Sequence, residues 1–544
     1  MIQQMKLDGA STELTRNYES QFLHNAIRLG WILLIFCSII QVLFFSSLVN
    51  LLCVFAVILG WLVLTKIFLR TSMFSAFPFS AFLITAFVST QLYFPLIFTT
   101  LEGKSLVINL ELPEEVFFHS LAGLAVLAVA HVFYRWLSKL SDRRAFPIAA
   151  RLGFFTPPTN LQLWAMGYIG IGATAYIYFT GSDAGWGVTG TPFDKFVQAL
   201  MPFSYAPFFI PFGKLYGSEQ KQSNRIVIYL LLFAVALFAV SIGRNSRGAF
   251  MFGFTSVAFG YILGLLLGVF NSQFITFRNV FFVGILAWLL IGPIADLGTA
   301  MVIVRDERRE LSGGELLSRT LETYFDKEAI VQRRLEDNNT APEPDWDERY
   351  LDNIFLARFS NIKYNDMSLV QFSKLSEYDP DMLNYSMDFL LSQLPEPVLV
   401  AFDIDVDKET VLSVSFGDYI YLLAGGNGYP EGFRTGHFAG TGMATFGWWY
   451  LLILGVTMIP VFWLFDKFYM NKKPKIPDQT NGFNGQFSFC GVLYLTHLFL
   501  FLPSESVVNI VVFLFRGYIQ LVFLYFLIFH LTRAIKGPKK LRWR

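Results

Sequence analysis

The chain has 544 residues, of which 54% are hydrophobic and only 15% are charged, and its formal net charge is +1. Soluble domains are about one quarter charged, so this composition excludes an ordinary soluble enzyme, and no nucleic-acid partner is expected. The apolar residues lie in runs of about 18 to 27, long enough to cross the roughly 30 Å hydrocarbon core as helices. A transmembrane β-barrel would instead show alternating segments of about ten residues. The sequence therefore predicts an all-α polytopic integral membrane protein.

About twelve apolar runs predict about twelve transmembrane helices. Their expected ranges are 27–46, 49–69, 75–99, 115–137, 161–180, 196–216, 225–242, 249–270, 279–302, 441–465, 486–503 and 506–531. The first 24 residues are polar and do not resemble the basic start of a cleaved signal peptide. Lys and Arg concentrate on the cytoplasmic side of membrane proteins. One orientation, with both termini cytoplasmic, puts the basic clusters at 66–70, 139–151, 221–225, 467–475 and 536–544 inside.

This orientation divides the chain into four regions: a membrane region over 1–302, a large external loop over 303–440, a second membrane region over 441–531 and a basic tail over 532–544. The loop holds 26 of the 41 acidic residues and 13 basic ones, so its net charge is −13. Apolar spacing within the loop predicts helices over 315–337 and 382–394. We expect a partly helical cap over the outer face of the membrane.

The sharpest local motif is SIGRNSRGAF (241–250), a polar turn between two predicted spans on the external side. It contains Arg244 and Arg247. Guanidinium groups at a membrane boundary can hold phosphate in a bidentate manner. The alternative is that both arginines only anchor a tight hairpin at the interface. The rarity of Arg at external boundaries favours phosphate binding.

A Gly-rich segment, GGNGYPEGFRTGHFAGTGMATFGWW (425–449), leads from the external loop into the next predicted span. It contains Arg434 and His437. Glycine permits tight turns and close approach to a ligand, and a histidine can remove a proton from a hydroxyl near neutral pH. The alternative is a turn in which the histidine bonds only to backbone.

Further cations lie at Arg305 and Arg358 in the loop, where most such residues are solvated ion-pair partners. Two ionisable residues fall within predicted spans, Asp296 and Arg516. A charge inside the membrane is a candidate functional residue. The sequence favours an Asp296–Arg516 ion pair, or Arg516 as a second phosphate contact.

No nucleotide-binding, serine-hydrolase, zinc-protease or CxxC motif is present. The three cysteines all fall within apolar runs. We therefore expect no cofactor and no metal site.

The SRGA turn, the large external loop and the His- and Gly-rich approach to the next helix (GHFAGTGMATFGWWYLLILG) together resemble the O-antigen polymerase and O-antigen ligase superfamily of bacterial envelopes. The matching stretches are short, about 245–249 and 434–454, whereas the similarity of topology covers most of the chain. The resemblance implies a GT-C-like membrane glycosyltransferase in the bacterial inner membrane, with its external loop in the periplasm.

The resemblance also implies the chemistry. The donor would be an oligosaccharide linked through pyrophosphate to undecaprenol, and membrane lipids and a chain-length regulator protein would be partners. Arg247 matches the arginine of SRGA, with Arg244, Arg305, Arg358, Arg434 and Arg516 as further pyrophosphate or substrate contacts. His437 would be the base, although Phe438 stands where ligases have Asn or Ser. Glu431 and Asp418 are the other candidate bases.

The length of the chain favours a polymerase, which joins repeat units, over a ligase, which transfers the glycan to the lipid A core. A secondary transporter or glycan exporter would also have about twelve spans, but it would more often show two related halves. A non-enzymatic role in assembly or as a receptor is a further alternative.

Overall fold

A computed structural model of the protein describes residues 21–140, 147–179, 192–220, 225–242, 247–270, 292–304, 307, 311–339, 346–357, 359–375, 377–427, 434–471, 485–501 and 505–534. Within these ranges the fold is almost entirely helical. The one sheet among them pairs β1 (Tyr469–Asn471) with β2 (Gly485–Phe487) in an antiparallel manner, with Tyr469 opposite Phe487. The prediction of an all-α membrane protein is confirmed.

Among the described residues, six helical segments are long and apolar enough to cross a membrane: Phe22–Phe44, Leu48–Phe68, Pro78–Leu101, Pro113–Ser138, Trp449–Asp466 and Val507–Arg533. Three of these segments contain a single π-helical turn, in which the backbone hydrogen bonds join residues five positions apart and not four. The helices that form the six segments are α1 (Gln21–Phe44), α2 (Leu48–Val63, then the π turn Leu64–Phe68), α4 (Pro78–Val88, then the π turn Ser89–Tyr93), α5 (Phe94–Leu101), α6 (Pro113–Leu140), α22 (Trp449–Asp466), α24 (Val507–Val512, then the π turn Phe513–Gly517) and α25 (Tyr518–Ala534).

The other elements of the membrane region are shorter or less apolar. They are α3 (Thr71–Ala76), α7 (Pro147–Arg151), α8 (Asn160–Phe179), α9 (Pro192–Gln198), a 3₁₀ helix (Met201–Tyr216), α10 (Ile226–Ile242), α11 (Arg247–Leu266), α12 (Pro293–Ile303) and α23 (Phe489–Phe501).

Between α12 and α22, the loop forms nine helices. They are α13 (Gly313–Phe325), α14 (Lys327–Asn339), α15 (Ile354–Ala357), α16 (Ile362–Leu375), α17 (Pro380–Ser392), α18 (Glu396–Ala401), α19 (Lys408–Ser413), α20 (Phe416–Leu423) and α21 (Phe438–Phe446), counted over the described residues. The predicted helix at 382–394 is confirmed as α17. The single helix predicted at 315–337 is instead two helices, α13 and α14. They meet at Asp326, whose backbone dihedral angles are not helical.

The large loop packs on the turn that joins α5 to α6. Asp366 of α16 accepts hydrogen bonds from the backbone N–H groups of Glu111 (3.0 Å) and Leu112 (2.9 Å), just before α6 begins. The hydroxyl of Tyr350 donates to the carbonyl of Leu106 at 2.7 Å. Both loops therefore lie at one end of the helix bundle.

The opposite end of the bundle is organised around Asp466, the last residue of α22. Its buried carboxylate accepts hydrogen bonds from the N–H groups of Phe79 (3.0 Å) and Ser80 (3.2 Å), and from the hydroxyl of Ser80 at 2.6 Å. It thus caps the N-terminus of α4, whose first N–H groups have no partner within the helix. The hydroxyl of Tyr134 donates to the same carboxylate at 3.2 Å.

Three predicted spans differ from the helices found. The one at 441–465 is broken at Gly447, whose φ of 54° lies in the left-handed region that favours glycine. The one at 196–216 contains a 3₁₀ helix because Pro207 and Pro211 remove α-helical hydrogen bonds. The one at 486–503 is α23, with 13 residues; at 1.5 Å per residue it is about 20 Å long, too short to cross the core alone.

Candidate functional site

Glu505, just before α24, lies against the external loop. Its backbone carbonyl accepts the hydroxyl of Thr441 at 2.6 Å. The carboxylates of Asp418 and Glu348 lie near its side chain, and Arg434 pairs with Asp418. We call Glu505, Asp418, Glu348 and Arg434 the acidic cluster.

The Gly-rich segment leads from the acidic cluster into the bundle. His437 is the N-cap of α21, and its ring nitrogen Nε2 lies 3.0 Å from the side-chain amide of Gln91. Gln91 belongs to the π turn of Ser89–Tyr93, ten residues before the outer end of α5. The ring of the next residue, Phe438, packs against Phe87 and Gly123. The start of α21 is thus held inside the bundle, and α21 leads back outward to α22.

The ring of His437 is fully enclosed, and both of its nitrogens have neighbours. Nδ1 accepts the N–H of Ala439 at 3.4 Å, so the proton of the neutral ring is on Nε2. A protonated Nε2 needs an acceptor, so we assign the side-chain oxygen of Gln91 to the position that faces it. Burial lowers the pKa of His437 to about 3. In this conformation the imidazole is a neutral, hydrogen-bonded part of the bundle.

Asp418 and Arg434 form an ion pair within the acidic cluster. The guanidinium of Arg434 donates to the carboxylate of Asp418 at 3.0 Å and stacks over the ring of Tyr421 at 3.8 Å. Ser415 donates to Asp418 at 2.9 Å and is the N-cap of α20. Asp418 is therefore an ion-pair partner that fixes Arg434, and its carboxylate is already engaged.

The sequence-based prediction missed Glu505, which is part of the acidic cluster. Its side chain is partly accessible, and its carboxylate accepts the backbone N–H of Phe416. Burial raises the pKa of Glu505 to about 7, and the nearby charges of Asp418 and Glu348 act in the same direction. A carboxyl group with a pKa near 7 can accept and release a proton at physiological pH. Glu505 directly precedes a predicted span, and in the sequence a carboxylate at such a position looks like an ordinary loop residue.

The acidic cluster contains more acidic than basic groups. Glu348 accepts hydrogen bonds from Trp346 (3.1 Å) and from the N–H of Thr435 (3.3 Å), so a third carboxylate lies near Glu505 and Asp418. Arg434 is the cation that faces them among the described residues. A pyrophosphate would therefore need further positive charge from other elements at this level.

The first residue of α11 is Arg247, at the end of the SRGA turn. The rings of Phe259 and Phe82 are 5.5 Å apart, so α11 packs against α4 at this point.

The remaining predicted site residues fall into two groups. Arg244, Arg305, Arg358 and Glu431 lie outside the described residues. Arg516 lies in the π turn of Phe513–Gly517, where its guanidinium donates to the side-chain oxygen of Gln393 at 2.5 Å.

The predicted Asp296–Arg516 ion pair is wrong. Asp296 instead pairs with Lys327 and Arg334, each at 2.8 Å. Both partners come from α14, which packs beside α12, whereas Arg516 belongs to the last transmembrane segment.

The fold and these contacts define a helical protein embedded in a membrane. The sequence matches no family model, no curated protein and no solved structure.

Proposed function

We propose that this protein polymerises oligosaccharide repeat units linked to undecaprenyl pyrophosphate at the outer face of the bacterial inner membrane. The product would be an O-antigen, a capsule or an exopolysaccharide. The observation that carries the proposal is the acidic cluster, in which Arg434 pairs with Asp418 at 3.0 Å and burial raises the pKa of the nearby Glu505 to about 7.

The proposed reaction needs a base and a stabilised leaving group. The hydroxyl of the acceptor sugar attacks the anomeric carbon of the donor, and the bond from that carbon to the pyrophosphate oxygen breaks. The acceptor proton passes to Glu505, and the lipid pyrophosphate leaves with the bonding electrons. Transition-state charge on the leaving group is best stabilised by positioned cations.

Positive charge for the pyrophosphate is assigned to Arg247 and Arg434, with Arg244, Arg305 and Arg358 as further contacts. Asp418 positions Arg434 through the 3.0 Å ion pair. Glu505 replaces His437 as the first choice of base because it keeps accessible surface and its pKa is near 7, whereas His437 is fully enclosed. His437 then acts by holding α21 against Gln91.

The proposal includes the finer architecture. It has about twelve spans in a GT-C-like arrangement, both termini in the cytoplasm and the 303–440 loop in the periplasm. The shorter apolar helices Ile226–Ile242, Thr255–Leu266 and Pro293–Ile303 are consistent with additional membrane-embedded segments. A chain-length regulator protein is a proposed partner.

The test compares Glu505→Gln with Glu396→Gln in a strain that lacks the chromosomal gene. Glu396 is also an external-loop carboxylate, and it is well exposed. We expect Glu505→Gln to leave single repeat units on the lipid A core, and Glu396→Gln to restore the full glycan ladder at an equal protein level. The polymerase function is wrong if the deletion strain itself still makes a full ladder.

The same gel distinguishes a polymerase from a ligase. A ligase defect would leave polymer on the lipid carrier, with no glycan on lipid A. Purified protein with the lipid-linked repeat unit then gives the pH dependence. With Glu505 as the base, the rate rises with pH and levels off above about 7.

A secondary transporter or exporter is the second candidate, and specific features favour it. Transporters build central sites from broken helices. Here α21 and α22 are separated at Gly447, α23 is short, and Met201–Tyr216 is a 3₁₀ helix. Under this alternative Arg247→Ala would abolish uptake or export of a solute while the purified protein still fails to extend a lipid-linked glycan.

A further inference from the structure

A group of enclosed polar side chains lies where α16 meets the π turn of Ser89–Tyr93 and α21. We name this group the polar seam, and it consists of Gln91, Ser360, Asn365, Ser368 and His437. Each of these side chains is at most 2% exposed. None carries a formal charge, because His437 is neutral in the conformation described above.

The elements of the seam are joined by direct contacts. The N–H of Asn361 donates to the carbonyl of Thr90 at 3.2 Å, which ties Ser360 to the neighbourhood of Gln91. Gln91 in turn contacts His437. At the other side, Gly440 of α21 lies directly against the backbone of Ser368. Asn365 lies one turn before Ser368 on α16, so the five residues belong to one interface.

Four side chains of this interface each have one polar atom without a hydrogen-bond partner: Gln91, Ser360 (Oγ), Asn365 (Oδ1) and Ser368 (Oγ). They account for four of the nine enclosed side-chain atoms without a partner in the described part of the chain. Because the oxygen of the Gln91 amide faces His437, the unpartnered atom of Gln91 is its nitrogen. Enclosed polar groups in proteins nearly always have a partner, and where the protein supplies none the partner is ordered water.

The size and charge of the seam decide which ligand fits. A phosphate or a metal ion would need charged neighbours, and the nearest ion pair, Lys363 with Asp366, is closed upon itself at 2.8 Å. A sugar ring needs width, yet at Gly440 the two helices are so close that a Cβ atom would overlap the carbonyl group of Ser368. A water molecule is small, neutral, and both donates and accepts.

We propose that the polar seam binds internal water molecules, held by Gln91, Asn365, Ser368 and Ser360, which link α16 to the re-entrant helix α21. Asn365 is suited to orient this water because its amide nitrogen is fixed by the carbonyl of Val116 and the hydroxyl of Ser120, both at 3.3 Å. Its oxygen is left to accept from water. The inference does not depend on the proposed reaction.

The test is radiolytic hydroxyl labelling of the full-length protein in H₂¹⁸O, read out by mass spectrometry. Bound water generates hydroxyl radicals locally and labels side chains that bulk solvent does not reach. The reporter is Phe438, which is 3% exposed and whose ring lies 4.3 Å from that of His437. The control is Phe209, which is 0% exposed and packs against Phe212 and Phe489.

We expect Phe438 to be labelled several-fold faster than Phe209 in the unaltered protein. The variants Asn365→Leu and Gln91→Leu remove water ligands and should reduce this labelling several-fold. Equal labelling of Phe438 and Phe209 in the unaltered protein would overturn the proposal. So would faster labelling of Phe438 in both variants, because that result would mean that radicals reach the ring through transient opening.

Discussion

Lys363 and Asp366 lie one turn apart on α16 and form an enclosed ion pair with Nζ and Oδ2 2.8 Å apart. Lys363 also donates to the carbonyl of Asn109, and Asp366 accepts from the backbone before α6. The pair therefore fastens the external loop to the end of a transmembrane helix.

Lys363→Met should lower the free energy of unfolding by about 3–5 kcal/mol, because it leaves the carboxylate of Asp366 enclosed without its cation. The measurement is thermal unfolding of the detergent-solubilised protein. The matched control is Lys374→Met, an exposed position on the same helix, which should change the stability by less than about 0.5 kcal/mol. Equal effects of the two variants would contradict this role of the pair.

Glu505 makes the stability depend on pH. Its pKa rises from the ordinary 4.5 to about 7 on folding, so the folded state holds a proton that the unfolded chain releases. The associated stability is fully present below about pH 4.5 and is lost as the pH rises to about 7.

Relative to Glu505→Gln, the unaltered protein should thus lose roughly 2 kcal/mol between pH 5 and pH 8. The measurement is the difference in unfolding temperature between the two proteins at each pH. Glu396→Gln, which changes an exposed carboxylate, should show no such trend. A difference in unfolding temperature that does not change with pH would mean that Glu505 is ionised over the whole range from pH 5 to pH 8.

Two glycines in α8 offer a matched pair of substitutions. At Gly170 a Cβ atom would lie 2.0 Å from the backbone nitrogen of Ser204, whereas at Gly172 nothing lies within 4 Å. Gly170→Ala should destabilise the protein by about 1–3 kcal/mol or more, because two backbones must separate. Gly172→Ala should leave it unchanged or stabilise it by up to about 1 kcal/mol, because alanine favours the helix. Thermal unfolding of both variants checks the packing of α8 on the 3₁₀ helix.

The pairing of Asp296 can be measured by double-mutant cycles. The cycle of Asp296→Asn with Lys327→Met should give a coupling of about 0.5–1 kcal/mol that declines in high salt, because the pair is partly exposed. The cycle with Arg516→Met should give a coupling near zero. A sizeable coupling to Arg516 would restore the ion pair that the sequence suggested.

The sequence predicted the features that depend on local composition. Apolar runs located the six long membrane helices found among the described residues. The spacing of apolar residues located α17 within the large loop. These signals are readable because each is set by the neighbouring residues along the chain.

What the sequence could not give depends on contacts between distant segments. Lys327 and Arg334 look like solvated loop charges until α14 packs beside α12 and brings them to Asp296. Glu505 looks like an ordinary turn residue until the external loop brings Asp418 and Glu348 near its carboxylate. His437 looks like a free base until Gln91, 346 residues earlier, is found against its ring.

The caps supplied by Asp366 and Asp466 have a consequence for biogenesis. The N–H groups just before α6 donate to a carboxylate that lies 255 residues further along the chain, and those at the start of α4 donate to one that lies 386 residues further. At about 5–20 residues per second, ribosomes need on the order of tens of seconds to make those later segments. During synthesis, the starts of α4 and α6 therefore lack these protein partners, and both helices complete their final packing only after the C-terminal third of the chain has been inserted.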